Sequence, residues 1–159
     1  MKNIAYLHGL EAKAGGVKYD YLEAQYTVSF APQIDYWEDD VFKKIYIELK
    51  NNRLDLIIGS SMGGFFAYHL AKILNVPTVL FNPALLLSYI KEYKGVDLTK
   101  IDQSGTKTPF HKVVLGENDE IIPPQTTIDF LEKEEKNNHK IIREPHAHRT
   151  PVKAFKQYV

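Results

Sequence analysis

The chain has 159 residues, no cysteine, and 20 basic and 20 acidic side chains that leave a formal net charge of zero. A chain of this length buries one continuous core. Its interspersed charges raise no field for nucleic acid or an anionic membrane surface, and without thiols it has no disulfide, thiolate nucleophile or Cys-based metal centre.

The expectation is one domain over residues 1–159, with no nucleic-acid partner and no membrane partner; the sequence sets no oligomeric state. The apolar run that opens at Ile4 is not laid out as a signal peptide, so a cytoplasmic protein is expected. Even residues 56–74 are interrupted by Gly59, Ser60, Ser61 and Gly63-Gly64, and fall short of the roughly 20 apolar residues of a membrane helix.

In chain order, short apolar runs at residues 4–7, 26–31, 54–58, 78–81, 112–115 and 140–143 read as strands buried on both faces. Between the second and third, Val41, Phe42, Ile45, Tyr46 and Leu49 share one helical face opposite Lys43, Lys44 and Glu48, with Asp39 and Asp40 suited to the helix N-terminus. A helix follows Ser61. Another starts near Pro123-Pro124 and buries Ile128 and Leu131, with 132–136 as a solvated face. Thr150-Pro151 reads as an N-cap and a first-turn proline, opening a last helix that buries Val152 and Phe155. Alternating β and α units of this kind build a doubly wound three-layer α/β sandwich: six mainly parallel strands with helices on both faces.

In such sheets ligands bind beyond the carboxyl ends of the strands. The residues standing there are His8-Gly9-Leu10, 35–37, 59–63, Asn82-Pro83-Ala84, 116–120 and 145–148. The third set, Gly59-Ser60-Ser61-Met62-Gly63, fits G-x-S-x-G, in which a serine sits at a tight strand-to-helix turn and the glycines remove Cβ atoms that would clash. Only Ser61 occupies the centre; Ser60 would need glycine at Ile58. At a helix N-terminus the amide of Met62 is aimed at developing negative charge. A second oxyanion donor comes from the loop after the first strand, where His8-Gly9 turns the backbone and presents the amide of Leu10. Dinucleotide and P-loop glycine motifs do not fit this stretch, nor Gly15-Gly16-Val17-Lys18.

A serine needs a base, and the base needs an orienting acid. In the chain order Ser, acid, His, Asp119 of "LGENDEIIPP" lies in the loop after the fifth strand, with Glu117 and Glu120 as the other carboxylates of that loop. Of the six histidines, His8 precedes Ser61, His69 lies two turns into the helix after it, and His111 and His139 flank strand starts. That leaves His146 and His148 in "EPHAHRTP". Two histidines two residues apart could suggest a metal, but no further ligand cluster accompanies them, and no metal is expected.

Taken together, "YLHGL", "IGSSMGGFFA", "FNPAL", "NDEIIP" and the histidine loop make nearly the whole chain resemble the α/β-hydrolase superfamily, in particular the small bacterial esterases of the YqiA-like type. The resemblance implies a minimal α/β-hydrolase fold lacking the first two strands of the larger fold. It also implies ester hydrolysis without a cofactor by Ser61 as nucleophile, Asp119 as acid and His148 as base, with Leu10 and Met62 as oxyanion donors. The chain departs from the family in having Pro145-His146-Ala147 before His148, where a small or amide residue, often glycine, is usual; His146 therefore stays as the alternative base. Residues 83–108, with Leu86, Leu87, Ile90 and Tyr93, are expected to form a small flap or a surface helix too short for a large lid, favouring short acyl chains. The expected function is a serine esterase acting on a small-molecule ester. The alternatives are a thioesterase or amidase on the same site, and a hydrolase-like binding protein that has lost the chemistry.

Overall fold

The structure is a computed structural model that describes residues 1–86, 96, 105, 107–135 and 137–159. Its elements run β1 (Asn3–Leu7), α1 (Val17–Gln25), β2 (Thr27–Phe30), α2 (Val41–Lys50), β3 (Leu56–Ser60), α3 (Met62–Leu74), β4 (Thr78–Phe81), β5 (His111–Gly116), α4 (Pro124–Glu134), β6 (His139–Glu144) and α5 (Val152–Tyr158). The six strands form one sheet in the order β2-β1-β3-β4-β5-β6, and every neighbouring pair is parallel. The expected α/β-hydrolase architecture of six parallel strands is thus the observed one.

Successive side chains of a strand point to opposite faces, and both faces here are covered by helices. Ala5, Leu7, Ile57, Leu80, Val113 and Leu115 join one apolar layer with Phe42, Ile45 and Leu49 of α2, Phe66 and Leu70 of α3, and Ile128 and Leu131 of α4. Ile4, Tyr6, Ile58, Val79, Phe81 and Val114 join the other with Leu22 of α1 and Phe155 of α5. Because β1 lies between β2 and β3, the chain leaves β1 for one edge of the sheet and builds from β3 toward the other. The loops after β1 and β3 therefore face a topological switch point, where open α/β sheets form their ligand crevices.

Helix α1 escapes the sequence reading. Leu22 is its one fully buried residue, so no apolar stripe announces it, and it starts after Gly15 and Gly16, whose φ of 90° and 78° require glycine. Asp40 stands at the N-terminus of α2, as expected, in left-handed backbone at φ 56° and without a side-chain capping hydrogen bond. Two further expectations are corrected locally. Pro151, not Thr150, is the residue preceding the first turn of α5; Thr150 is buried instead, with its hydroxyl 3.4 Å from Nδ2 of Asn82. Within the stretch 132–136, Glu135 is buried rather than solvated, because the chain turns inward at the end of α4 and its carboxylate accepts from Tyr68 OH at 2.7 Å and Lys72 Nζ at 2.6 Å. The expected flap at 83–108, including Leu87, Ile90 and Tyr93, lies outside the described residues except at 83–86, 96, 105, 107 and 108. Among the described residues, no helix is long and apolar enough to cross a membrane.

Candidate active site

Strand β3 carries Ile57 and Ile58 through the core and ends at Ser60, so that Ser61 emerges at the carboxyl edge of the sheet. The turn into α3 is closed too tightly for side chains. A Cβ on Gly59 would stand 2.4 Å from the carbonyl oxygen of Gly63, and one on Gly63 would stand 2.1 Å from that of Leu7. The result is a serine at φ 51°, ψ −116°, a region that L residues occupy only when the surroundings impose it. The surroundings here are the end of β4, the residues just after it and the first turn of α3: the Ser61 amide donates to Phe81 O at 3.0 Å, and Ser61 O accepts from Ala84 N at 3.0 Å and from Gly64 N at 2.9 Å.

Asp119 sits in the turn after β5, buried. Its Oδ1 accepts the amides of Ile121 at 2.9 Å and Ile122 at 2.8 Å, which leaves Oδ2 to face Nδ1 of His148 at 2.7 Å. Nε2 of the same ring lies 2.9 Å from Ser61 Oγ. A carboxylate only accepts, so the proton between Asp119 and His148 belongs to Nδ1, and the lone pair of Nε2 is turned to the serine hydroxyl. The imidazole is 22% exposed and the carboxylate 1%, so the acid is shielded while the base remains reachable from solvent. Glu117 and Glu120 are exposed.

His146 is on the same loop but turns elsewhere. Its Nδ1 donates to the carbonyl of Ala147 at 2.8 Å, and its Nε2 is buried with no hydrogen-bond partner among the described residues. The remaining histidines are also accounted for. Buried His8 accepts the amide of Ile34 on Nε2 at 2.8 Å and donates from Nδ1 to Gly9 O at 2.7 Å, tying the loop after β1 to the loop after β2. Tyr36 adds to that tie, its hydroxyl donating to His8 O at 2.5 Å. His111 and His139 begin β5 and β6 at the opposite end of the sheet, and His69 lies in the body of α3. Burial lowers both His69 and His111 to a pKa of about 4, so neither carries charge near neutrality.

Met62 is the first residue of α3, directly after Ser61. Leu10 lies in the loop after β1, which passes close by: a Cβ on Gly9 would be 3.5 Å from Cβ of Ser61. The two backbone amides named from the sequence thus belong to the two segments flanking the serine. Among the described residues, no group of three or more His, Asp or Glu side chains gathers to hold a metal. The sequence places Asn82 beyond the end of the fourth strand without giving it a role, although it is buried beside both the acid loop and the histidine loop. The signal was present in its position, immediately after an apolar strand and before Pro83.

The model of an uncharacterised protein family, UPF0227, matches residues 3–89. No curated protein matches the chain. Among solved structures, Est1E from Butyrivibrio proteoclasticus is similar at a TM-score of 0.71 and 12% identity, covering 98% of this chain and 84% of that one. Mouse alpha/beta hydrolase domain-containing protein 10 is similar at 0.68 and 15%, covering 98% and 85%. The esterase domain of a Rhodothermus marinus protein is similar at 0.67 and 10%, covering 98% and 81%. At these identities the likeness is one of fold.

Proposed function

The chain belongs to the protein family UPF0227, and from that footing we propose that it is a serine hydrolase cleaving carboxylic esters through an acyl-enzyme. One observation carries the reading: the unbroken hydrogen-bonded line from Asp119 through His148 to Ser61, ending on a serine in strained backbone at a helix N-terminus. The hydrolases and esterases among its structural neighbours lend support.

In the proposed cycle His148 Nε2 takes the hydroxyl proton as Ser61 Oγ attacks the ester carbonyl, and the Asp119 carboxylate stabilises the imidazolium that forms. The amides of Met62 and Leu10 hold the oxyanion, aided by the positive end of α3. His148 then gives its proton to the departing alkoxide, and water, deprotonated by the same ring, attacks the acyl-enzyme and releases the acid. These steps use the side chains and amides of the chain together with water.

Short acyl chains are the proposed substrates. The stretch between β4 and β5 is too short for a large lid, while Trp37, Leu86 and Ile121 offer exposed apolar side chains on loops beyond the carboxyl ends of the strands. The decisive experiment is labelling with a fluorophosphonate followed by peptide mapping. Covalent modification confined to Ser61 is expected; an unlabelled, folded protein would rule out the serine mechanism and leave the binding-protein reading. Comparison of kcat/KM on matched esters, thioesters and amides then ranks the leaving groups, with esters expected first.

A further inference from the structure

Asn82 follows β4 directly, is buried, and holds a left-handed backbone at φ 43°. Asparagine is one of the few side-chain-bearing residues that accept this conformation at modest cost. Its carboxamide spans two loops that meet nowhere near it in sequence. Oδ1 accepts the amide of Gly116 at 2.7 Å, at the end of the strand that leads to Asp119. Nδ2 donates to the carbonyl of His148 at 2.6 Å, with Thr150 Oγ1 at 3.4 Å and Ala147 O at 3.5 Å on the same side.

The main chain around Asn82 makes a third connection. Its amide donates to Val114 O at 2.9 Å, and its neighbours Phe81 and Ala84 bond to the amide and the carbonyl of Ser61. One short stretch therefore touches the serine peptide, the end of the acid strand and the peptide of the base. The histidine loop lies directly on β5 at this point: a Cβ on Gly116 would be 2.3 Å from His146 O, and Asn118 N donates to that same oxygen at 3.1 Å.

We infer that Asn82 is a positioning residue for the proposed hydrolase site: its carboxamide clamps the peptide of His148 to the end of β5, setting the height of the imidazole over Ser61. The inference rests on the serine-hydrolase reading and deepens it. The amide is needed because an acceptor must meet the Gly116 N–H while a donor meets the His148 carbonyl. A carboxylate of the same shape only accepts, and would turn an oxygen toward the oxygen of His148. A shift of the ring by about 1 Å is enough to cost on the order of 10²-fold in rate.

The test is Asn82→Asp, with Asn82→Ser as a second variant whose hydroxyl is too short to bridge both loops. Each is assayed at a temperature where circular dichroism matches the folded wild type. Steady-state hydrolysis of p-nitrophenyl acetate is followed from pH 5 to 9, together with the rate of fluorophosphonate labelling of Ser61. The expected result is a fall of about 10²-fold in kcat and in labelling rate, with KM changed by less than about threefold and the alkaline-rising limb of kcat/KM displaced. A residue that merely fills the core would lower the melting temperature and leave the rates and the limb in place. If wild type is labelled and the folded variants match it within twofold in rate and pH profile, the clamp is refuted while the hydrolase reading stands. If wild type itself is neither labelled nor active, the hydrolase reading fails and the clamp fails with it.

Discussion

Ser61 Oγ and His148 Nε2 lie 2.9 Å apart, although 87 residues separate them in the chain. His146, two residues before the ring that reaches the serine, bonds instead to its own neighbour Ala147. The loop therefore distinguishes two histidines that composition treats alike, and the difference can be measured. His148→Ala is expected to remove the rise of kcat/KM with pH that reports loss of a proton from the base, along with nearly all turnover. His146→Ala should keep that limb, with a rate reduced by no more than about tenfold through loosening of the loop. An inactive His146→Ala beside an active His148→Ala would exchange the two assignments.

Ser61 combines reactivity with an unfavourable backbone, at φ 51° and ψ −116°. Ser61→Ala keeps the strain and deletes the oxygen, so turnover should fall by about 10⁶ with little change in stability. Ser61→Gly deletes both. Glycine accepts positive φ without a Cβ penalty, so this variant should be as inactive but more stable than Ser61→Ala by roughly 1 kcal/mol in urea unfolding. A glycine variant less stable than the alanine one would mean that the turn is not strained.

Asp119 is buried and spends one oxygen on the amides of Ile121 and Ile122 and the other on His148. Asp119→Asn can retain the amide contacts but offers His148 Nδ1 a neutral group, which weakens the hold on the tautomer and on the imidazolium. A loss of up to about 10⁴ in kcat is expected. Exposed Glu117→Gln and Glu120→Gln should stay within about threefold of wild type. Activity that survives Asp119→Asn and vanishes with Glu120→Gln would move the acid along the loop.

Which parts of this arrangement were legible in the chain follows from how local their causes are. The four inner strands β1, β3, β4 and β5 are buried on both faces, so each reads as an apolar run, whereas the edge strands β2 and β6 are partly exposed and show through their short apolar centres alone. α2 reads as a stripe because Val41, Phe42, Ile45 and Leu49 all face the core. α1 buries little beyond Leu22 and is invisible by the same criterion. The turn at Ser61 is legible because its glycines answer contacts made within a few residues and with the adjacent strand. The choice between His146 and His148 is not, since it depends on Asn82 and Gly116, which come from other strands. Glu135 was hidden for a related reason: it belongs to a run of charged residues, 132–136, that looks solvated, and only the fold brings Lys72 and Tyr68 to it.

That buried carboxylate gives a prediction of its own. Burial pushes the Glu135 carboxyl toward the neutral form, but hydrogen bonds from Lys72 and Tyr68 outweigh it and hold the pKa below the usual glutamate value. Lys72→Met would leave the charge buried and under-compensated, at a cost of about 3 kcal/mol. The double variant Lys72→Met/Glu135→Leu, which removes the stranded charge as well, should recover part of that loss. A single variant within about 1 kcal/mol of wild type in urea unfolding would show that the pair is not needed.

The same end of the sheet sets the response to acid. His69 packs against Phe65 and Tyr68, with ring centroids 4.5 and 5.0 Å away, and His111 is buried with Nδ1 2.9 Å from Thr78 Oγ1. Burial lowers both pKa values to about 4, with the Lys72 charge acting in the same direction. In the unfolded chain these groups take up protons near pH 6.5, so between that value and about pH 4 the unfolded state binds more protons than the folded one. Stability therefore falls as pH falls through this window, by up to roughly 1.4 kcal/mol per pH unit for each histidine, and these two groups add no further loss below it. Glu135, with its pKa lowered, contributes stability present above the unfolded glutamate value and lost as pH drops through its own. Urea unfolding at pH 7, 6, 5 and 4.5 measures the slope. His69→Phe keeps an aromatic ring in the cluster and removes one titrating group, so it should lower the slope between pH 6 and 4.5 by about half. An unchanged slope in that variant would assign the acid sensitivity to other groups.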